Sequence, residues 1–272
     1  MIGGRLLRQA KWHVLHGRVL EWVSIILLFL LIAAPLSILS WLIFATTTFT
    51  VQAVTIVDAR PSTEAAIRNK TGALLGKNIL LLETSILQQS IIDAVPQIRD
   101  IRIERKLPSA LKIVVQEKSP ALLLLSGGKY SFVDSQGVAY EEATLDTLPG
   151  VVLPIIKNTG EQTQIRLGLP AVSADFVLFI LGAQQRVPDV LGADIAEFRI
   201  PSLAAREVHM QLTNNWLVKF DTTRPLDVQI DILQRLLAHT IPPDDHPKIE
   251  YIDLRIANRV YYKLRTGAPN KE

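Results

Sequence analysis

From Trp22 to Phe44 the chain reads "WVSIILLFLLIAAPLSILSWLIF", an unbroken run without a charged side chain. As a helix rising about 1.5 Å per residue, this run is long enough to cross a hydrocarbon core about 30 Å thick. Backbone polar groups find no water inside a bilayer, so a segment that crosses it alone must be helical. Trp22 and Trp41 stand near the two ends, where indole rings prefer the headgroup level, and Pro35 lies inside, where membranes tolerate it. The run predicts one transmembrane helix over residues 22–44. Arg5, Arg8, Lys11 and Arg18 precede it, and no basic residue follows until Arg60. This asymmetry predicts a cytoplasmic tail, residues 1–21, with the bulk of the chain outside the cell membrane. A cleaved signal peptide would have a shorter apolar region ending in small residues, and "IFATTTFT" lacks such a site.

The formal net charge of +3 in 272 residues raises the question of nucleic acid. Its distribution answers it: the N-terminal flank and the segment 51–118 carry a basic excess, whereas 119–272 carry an acidic one. The exported part is neutral overall, so no nucleic-acid partner is expected. The absence of cysteine excludes disulfides and thiol chemistry.

After the anchor, "FTVQAVTIV" is β-branched and reads as a strand. Pro61, Ser62 and Thr63 precede a first helix in "EAAIRNKTGALLG", with Ser62 or Thr63 as its expected cap and Glu64 in its first turn. Thr84 or Ser85 caps a second, whose Ile86, Leu87, Ile91 and Val95 recur at near-helical spacing until Pro96. In "IRDIRIERKLPSALKIVVQEKSP" the apolar residues alternate with charged ones on both sides of a turn. Ile101 and Ile103 face Leu111, Ile113 and Val115, and the result is a hairpin with one wet face. An isolated ribbon is marginal in water, so the two helices must cover its dry face. The order is βααββ.

That order, with "GKNILLL", "VPQIRDIRIERKLPSALKIVVQEKSPALL" and "FVDSQGVAY", resembles the FtsQ/DivIB cell-division proteins. The closing "IEYIDLRIANRVYYKLR" is similar to the strand pair that ends that family. The resemblance implies a POTRA domain over 50–118, a FtsQ/DivIB-type β domain over 119–265, and a tail over 266–272. The fold class implied is a single transmembrane helix followed by α+β domains.

The second domain supports this by its own pattern. "ALLLL", "KYSFVD" after Gly127-Gly128, "GVAY" with a turn between Asp134 and Gly137, and "VVLPII" after Pro149-Gly150 read as strands. "SADFVLFILGAQQR" reads as a helix capped by Ser173 and stopped near Pro188. "DIAEFRI", "REVHMQL" and "NNWLVKF" are three further strands, with a turn at Asn214-Asn215. An amphipathic helix from Pro225 precedes "KIEYIDLRI" and "RVYYKLR", joined around Asn258. The sum is a mixed α+β domain with a largely antiparallel sheet.

A last strand often lies at a sheet edge, where unpaired N–H and C=O groups accept a partner strand. Val260, Tyr261, Tyr262 and Leu264 belong to that strand and are expected to bind a partner, and the resemblance implies the same role for Ile256, Arg259 and Lys263 around it. The resemblance implies FtsB/DivIC-like and FtsL-like bitopic proteins as partners at the division septum. Ile256 and Leu264 depart from it, standing where well-studied members carry aromatic residues. A POTRA-containing assembly or secretion factor is the alternative function, although it would ordinarily carry repeated modules or a membrane barrel.

Chemistry finds little footing. His239, Asp244, Asp245 and His246 in "HTIPPDDHPK" are metal-ligand types without a metal-binding spacing, and solvated loops of this kind are common. Glu141 and Glu142 are strand neighbours and point to opposite faces. His13 and His16 lie in the N-terminal tail. Asp253 and Arg255 share one strand face and are expected to ion-pair. No cofactor and no enzymatic activity are expected.

Overall fold

The computed structural model describes residues 3–44, 46–144, 153–160 and 163–265, with side chains described from Trp22 onward. The expected turn at Pro149-Gly150, the strand start at Val151 and the tail 266–272 lie outside the described residues, as do the side chains of the basic flank. Helix α1 runs from Gly3 to Phe44 and passes through Pro35 without a break. Helical structure thus begins well before Trp22. Trp22–Phe44 is long and apolar enough to cross a membrane, and none of it is buried within the protein.

The chain divides into two compact units, residues 1–89 with 102–114 and residues 90–101 with 115–272. After α1, strand β1 (Ala53–Val57) is followed by α2 (Pro61–Thr71), α3 (Thr84–Ala94), β2 (Ile98–Lys106) and β3 (Ala110–Glu117). This is the βααββ order expected. The sheet runs β1-β3-β2, with β1 parallel to β3 in the register Ala53↔Ala110 to Val57↔Val114. Leu111 of β3 packs with Val51, Leu74 and Ile79, flanked by Leu87 of α3 and Ile103 of β2.

Two local expectations fail here. Helix α2 starts one residue earlier than Ser62, with Arg60 at the cap position and Pro61 first in the helix. Proline's fixed φ is suited to that place, and its missing N–H is one that needs no partner there. In α3, Leu87 and Ile91 share the inner face, whereas Ile86 lies one residue off it and is 64% exposed.

Among the described residues, the second unit holds a nine-stranded sheet. It comprises β4 (Leu122–Ser126), β5 (Lys129–Val133), β6 (Ala139–Glu142), β7 (Ile155–Asn158), β8 (Ile195–Ile200), β9 (Glu207–Leu212), β10 (Leu217–Asp221), β11 (Ile249–Asp253) and β12 (Tyr261–Leu264). The strand order is β12-β11-β10-β9-β8-β7-β4-β5-β6. Antiparallel neighbours predominate, but β7 is parallel to both β4 and β8, and β11 is parallel to β10. Parallel neighbours need a crossover. Helix α4 (Ala174–Leu191) carries the chain from β7 to β8, and α5 (Leu226–His239) carries it from β10 to β11.

Both helices lie on one face of the sheet. Phe176, Ile180, Ala183 and Val187 of α4, with Ile230 and Leu233 of α5, share one core with Phe198, Met210, Phe220 and Ile252. The alternation in β9, half-buried then buried throughout, is what a strand with one dry face shows. Ser173 caps α4 by accepting from the Phe176 N–H at 3.1 Å. The helix does not stop at Pro188; it continues to Leu191 and ends at Gly192, whose φ is 61°. Burial of Val187 and Leu191 against the core holds that last turn despite the missing N–H.

Candidate partner-docking edge

The C-terminal hairpin gathers all seven expected docking residues. Its base is β11, and its connection turns through Ile256–Arg259, where the Arg259 N–H donates to the Ile256 carbonyl at 3.3 Å. Asn258 takes φ 63° in that turn, a conformation its short amide side chain tolerates better than most. The return strand, β12, has β11 on one side and no strand on the other among the described residues.

Register decides which backbone groups of β12 are free to bond outward. Ile249 faces Leu264; after a bulge, Tyr251, Ile252 and Asp253 face Lys263, Tyr262 and Tyr261. The Arg265 N–H donates to the Lys248 carbonyl at 2.7 Å, so residue 265 bonds inward. Direction alternates along an extended strand. Lys263 and Tyr261 therefore also bond toward β11, and Tyr262 and Leu264 aim their N–H and C=O groups away from the sheet.

Side chains alternate across the sheet in the same rhythm. Val260 and Leu264 pack partly against the main core, and Tyr262 shares their face, opposite buried Ile252. Tyr261 and Lys263 occupy the other face, where Lys263 Nζ lies 2.8 Å from Glu250. Tyr261 and Tyr262 remain 46% and 40% exposed, and Ile256 is exposed in the turn. Two aromatic side chains thus flank an open line of backbone groups, one on each face.

The opposite end of the sheet is closed differently. Beside β6, the Ala139 N–H donates to the Leu169 carbonyl and the Gly168 N–H donates to the Ala139 carbonyl. A loop covers part of that edge, which is one way proteins blunt an unpaired strand.

The base under the open edge is tied down by charge. Arg255 Nε and Nη2 donate to the two oxygens of Asp253, and Nη1 donates to Glu207. Burial opposes charge on Asp253, yet the Arg255 hydrogen bonds outweigh it and hold the carboxyl below its ordinary value. The same carboxylates hold the Arg255 guanidinium above its own. Burial pushes His209, beside Glu207, below the usual imidazole value. Arg224 Nη1 donates to the Leu254 carbonyl at 2.8 Å, and Lys219 Nζ stands 5.1 Å from the Tyr251 ring centroid. Sequence reading finds the Asp253–Arg255 pair but not Glu207, Arg224 or Lys219. Those partners come from other strands and a distant turn, and only the sheet order reveals them.

Two of the four candidate metal ligands, Asp245 and His246, have other partners. His246 Nε2 lies 3.2 and 3.0 Å from the Leu237 and Ile241 carbonyls, and Asp245 pairs with Lys248. Among the described residues, no three His, Asp or Glu side chains are grouped to hold a metal. Glu142 pairs with Lys129.

Two family profiles cover most of the chain. Residues 49–118 match the POTRA domain, FtsQ-type, and residues 121–255 match Cell division protein FtsQ/DivIB, C-terminal. The chain belongs to the FtsQ/DivIB family. It is 25% identical over 215 residues to the Cell division protein FtsQ of Streptomyces venezuelae, covering 79% of this chain and 74% of that protein. Against the Cell division protein FtsQ of Caulobacter vibrioides it is 26% identical over 131 residues, covering 48% and 42%. The FtsQ/DivIB match stops at Arg255, before β12 begins. The candidate docking edge therefore rests on geometry alone.

Proposed function

We propose that this protein is a single-pass scaffold of the division machinery that captures extracytoplasmic partner segments by strand addition to β12. The reading is carried by one observation: Tyr262 and Leu264 present outward backbone donors and acceptors at the open end of a nine-stranded sheet. An extended peptide satisfies those groups with its own, and the flanking tyrosines supply stiff, amphipathic contact area. The partners are FtsB/DivIC-like and FtsL-like bitopic proteins. With residues 1–21 cytoplasmic and 22–44 in the cell membrane, the POTRA domain, 50–118, and the β domain, 119–265, lie outside at the septum. Anchoring both partners in one membrane raises their effective concentration without any new contact. The protein works by holding, not by chemistry. Both family matches are to division proteins, which supports this reading over a POTRA-containing assembly or secretion factor.

The test is capture of the extracytoplasmic segment of an FtsB/DivIC-like protein from the same organism by the full chain in nanodiscs. Deletion of residues 259–272 is expected to abolish capture while leaving the first unit folded. Undiminished capture by the deleted chain would place the interface elsewhere.

A further inference from the structure

Within the first unit, the spanning helix is not joined to the strands and helices that follow by its linker alone. Four carbonyls at a helix C-terminus lack intrahelical donors. Two of those in α1 are satisfied from downstream: Thr46 Oγ1 donates to Leu42 at 2.6 Å, and Asn78 Nδ2 donates to Ile43 at 2.5 Å. Asn78 comes from the loop between α2 and α3, and backbone bonds fix that loop beside the linker. The Val51 N–H donates to the Lys77 carbonyl, the Gly76 N–H to Val51, and the Ile79 N–H to Phe49, at 2.9, 2.9 and 2.7 Å.

Asn78 also shapes the turn on its C-terminal side. Its Oδ1 accepts the Leu80 N–H at 2.9 Å, and its carbonyl accepts the Leu81 N–H at 3.3 Å. This turn leaves Leu80 and Leu81 uncovered, with Leu81 61% exposed, and Leu75 is exposed on the loop's other arm. Lys77 lies exposed between them.

We infer that the loop Leu75–Leu81 is a membrane-surface contact, with Leu75, Leu80 and Leu81 entering the interfacial layer of the leaflet at the C-terminal end of α1. This rests on the reading of Trp22–Phe44 as a bilayer span. That span places Phe44 at the end of the hydrocarbon core, and Asn78 lies within one side chain's length of it. The interfacial layer is about 5–7 Å deep on each side, so a turn held at Asn78 cannot sit clear of it. The layer these apolar side chains enter is the headgroup and acyl boundary, where Lys77 lays its methylene stem along them and keeps its ammonium in water. The contact orients the first unit on the membrane instead of leaving it to swing on a tether.

The chain has no cysteine, so single labels are clean. Full-length Leu81→Cys, Leu31→Cys and Arg102→Cys variants carrying an environment-sensitive fluorophore would be reconstituted in nanodiscs. Quenching by nitroxide lipids, placed either at the headgroup or along the acyl chain, would then be measured. The Leu81 label is expected to be quenched several-fold more strongly by headgroup nitroxide than the Arg102 label, which sits on an exposed position of β2. The Leu31 label is expected to respond to the acyl nitroxide. A Leu81 label quenched no more than the Arg102 label, with Leu31 behaving as buried in acyl chains, overturns the surface contact alone. A Leu31 label insensitive to acyl nitroxide overturns the span and the contact together. Leu80→Ser in the Leu81→Cys background is expected to weaken the headgroup quenching, as removal of a neighbouring apolar contact requires.

Discussion

Arg255 Nη1 lies 2.6 Å from Glu207 Oε2, a residue 48 positions earlier in the chain, while the rest of the guanidinium holds both oxygens of Asp253. One planar fork thereby joins the start of β9 to the end of β11. A lysine offers a single point charge and cannot reproduce that geometry. Replacement of Arg255 by alanine is expected to cost about 1–2 kcal/mol, reduced from the range for wholly buried charged bonds because the side chain remains partly exposed. Arg255→Lys is expected to recover only part of it. Urea unfolding followed by tryptophan fluorescence checks both.

The same cluster sets a pH dependence. Asp253 ionises more readily in the folded protein than in the unfolded chain, whose value is near 3.8. Its stabilising contribution is therefore complete above that value and is lost as pH falls through the lower folded value. Without the Arg255 guanidinium, burial of Asp253 is opposed only by the residue 255 N–H and by Lys219, so acid unfolding of Arg255→Ala is expected to begin at higher pH than that of the parent. His209 adds a separate limb. Burial holds its folded value below the ordinary 6.5, against the attraction of Glu207 and with Lys219 and Arg255 repelling its charge. The unfolded chain takes up the proton first, and stability falls as pH drops from about 6.5 through the folded value. His209→Gln is expected to flatten that limb and leave the Asp253 limb in place. Stability measured at a series of pH values distinguishes the two.

Gly137 cannot carry a side chain. Its φ is 80°, and an added Cβ would lie 2.1 Å from the Val172 carbonyl oxygen. The Asp134 carboxylate accepts the Gln136 and Val138 N–H groups in the same turn, so the backbone has no freedom to move aside. Gly137→Ala is expected to cost about 3 kcal/mol, combining a strained backbone with a clash. The urea midpoint is expected to drop well below that of Ser173→Ala, which loses only a helix cap worth about 1 kcal/mol.

The elements that sequence reading locates are those with local causes. Gly127 and Gly128 both take positive φ in the two-residue turn joining β4 to β5, and Asn215 does so between β9 and β10. The alternation of Leu111, Ile113 and Val115 marks one buried face of β3. What escapes it depends on neighbours remote in sequence. The parallel pairing of β7 with β4 and β8 leaves no trace in a strand of only four residues. Pro188 reads as a stop, yet α4 runs past it because Val187 and Leu191 are buried by strands not visible from the helix itself. The proposed docking edge is legible as a terminal strand; its outward residues depend on the Arg265–Lys248 bond and the bulge in β11, which no periodicity reveals.

That register makes a proline scan of β12 decisive. Proline removes a backbone N–H and is tolerated in a sheet where that N–H faces outward from an edge. At Tyr262 or Leu264 it deletes a donor offered to the partner strand, so partner affinity is expected to fall at least about tenfold, about 1.4 kcal/mol, with the hairpin retained. At Tyr261 or Lys263 it deletes a bond to β11, and the hairpin itself is expected to loosen. Titration of the partner segment against the full chain in nanodiscs reads the first effect, and hydrogen exchange at the Asp253 amide reads the second. Tyr262→Phe is expected to bind nearly as the parent does, because the backbone groups are untouched and the ring is retained. Equal affinities for Tyr262→Pro and the parent would exclude strand addition at this edge, even if the tyrosine side chains contributed contacts of their own.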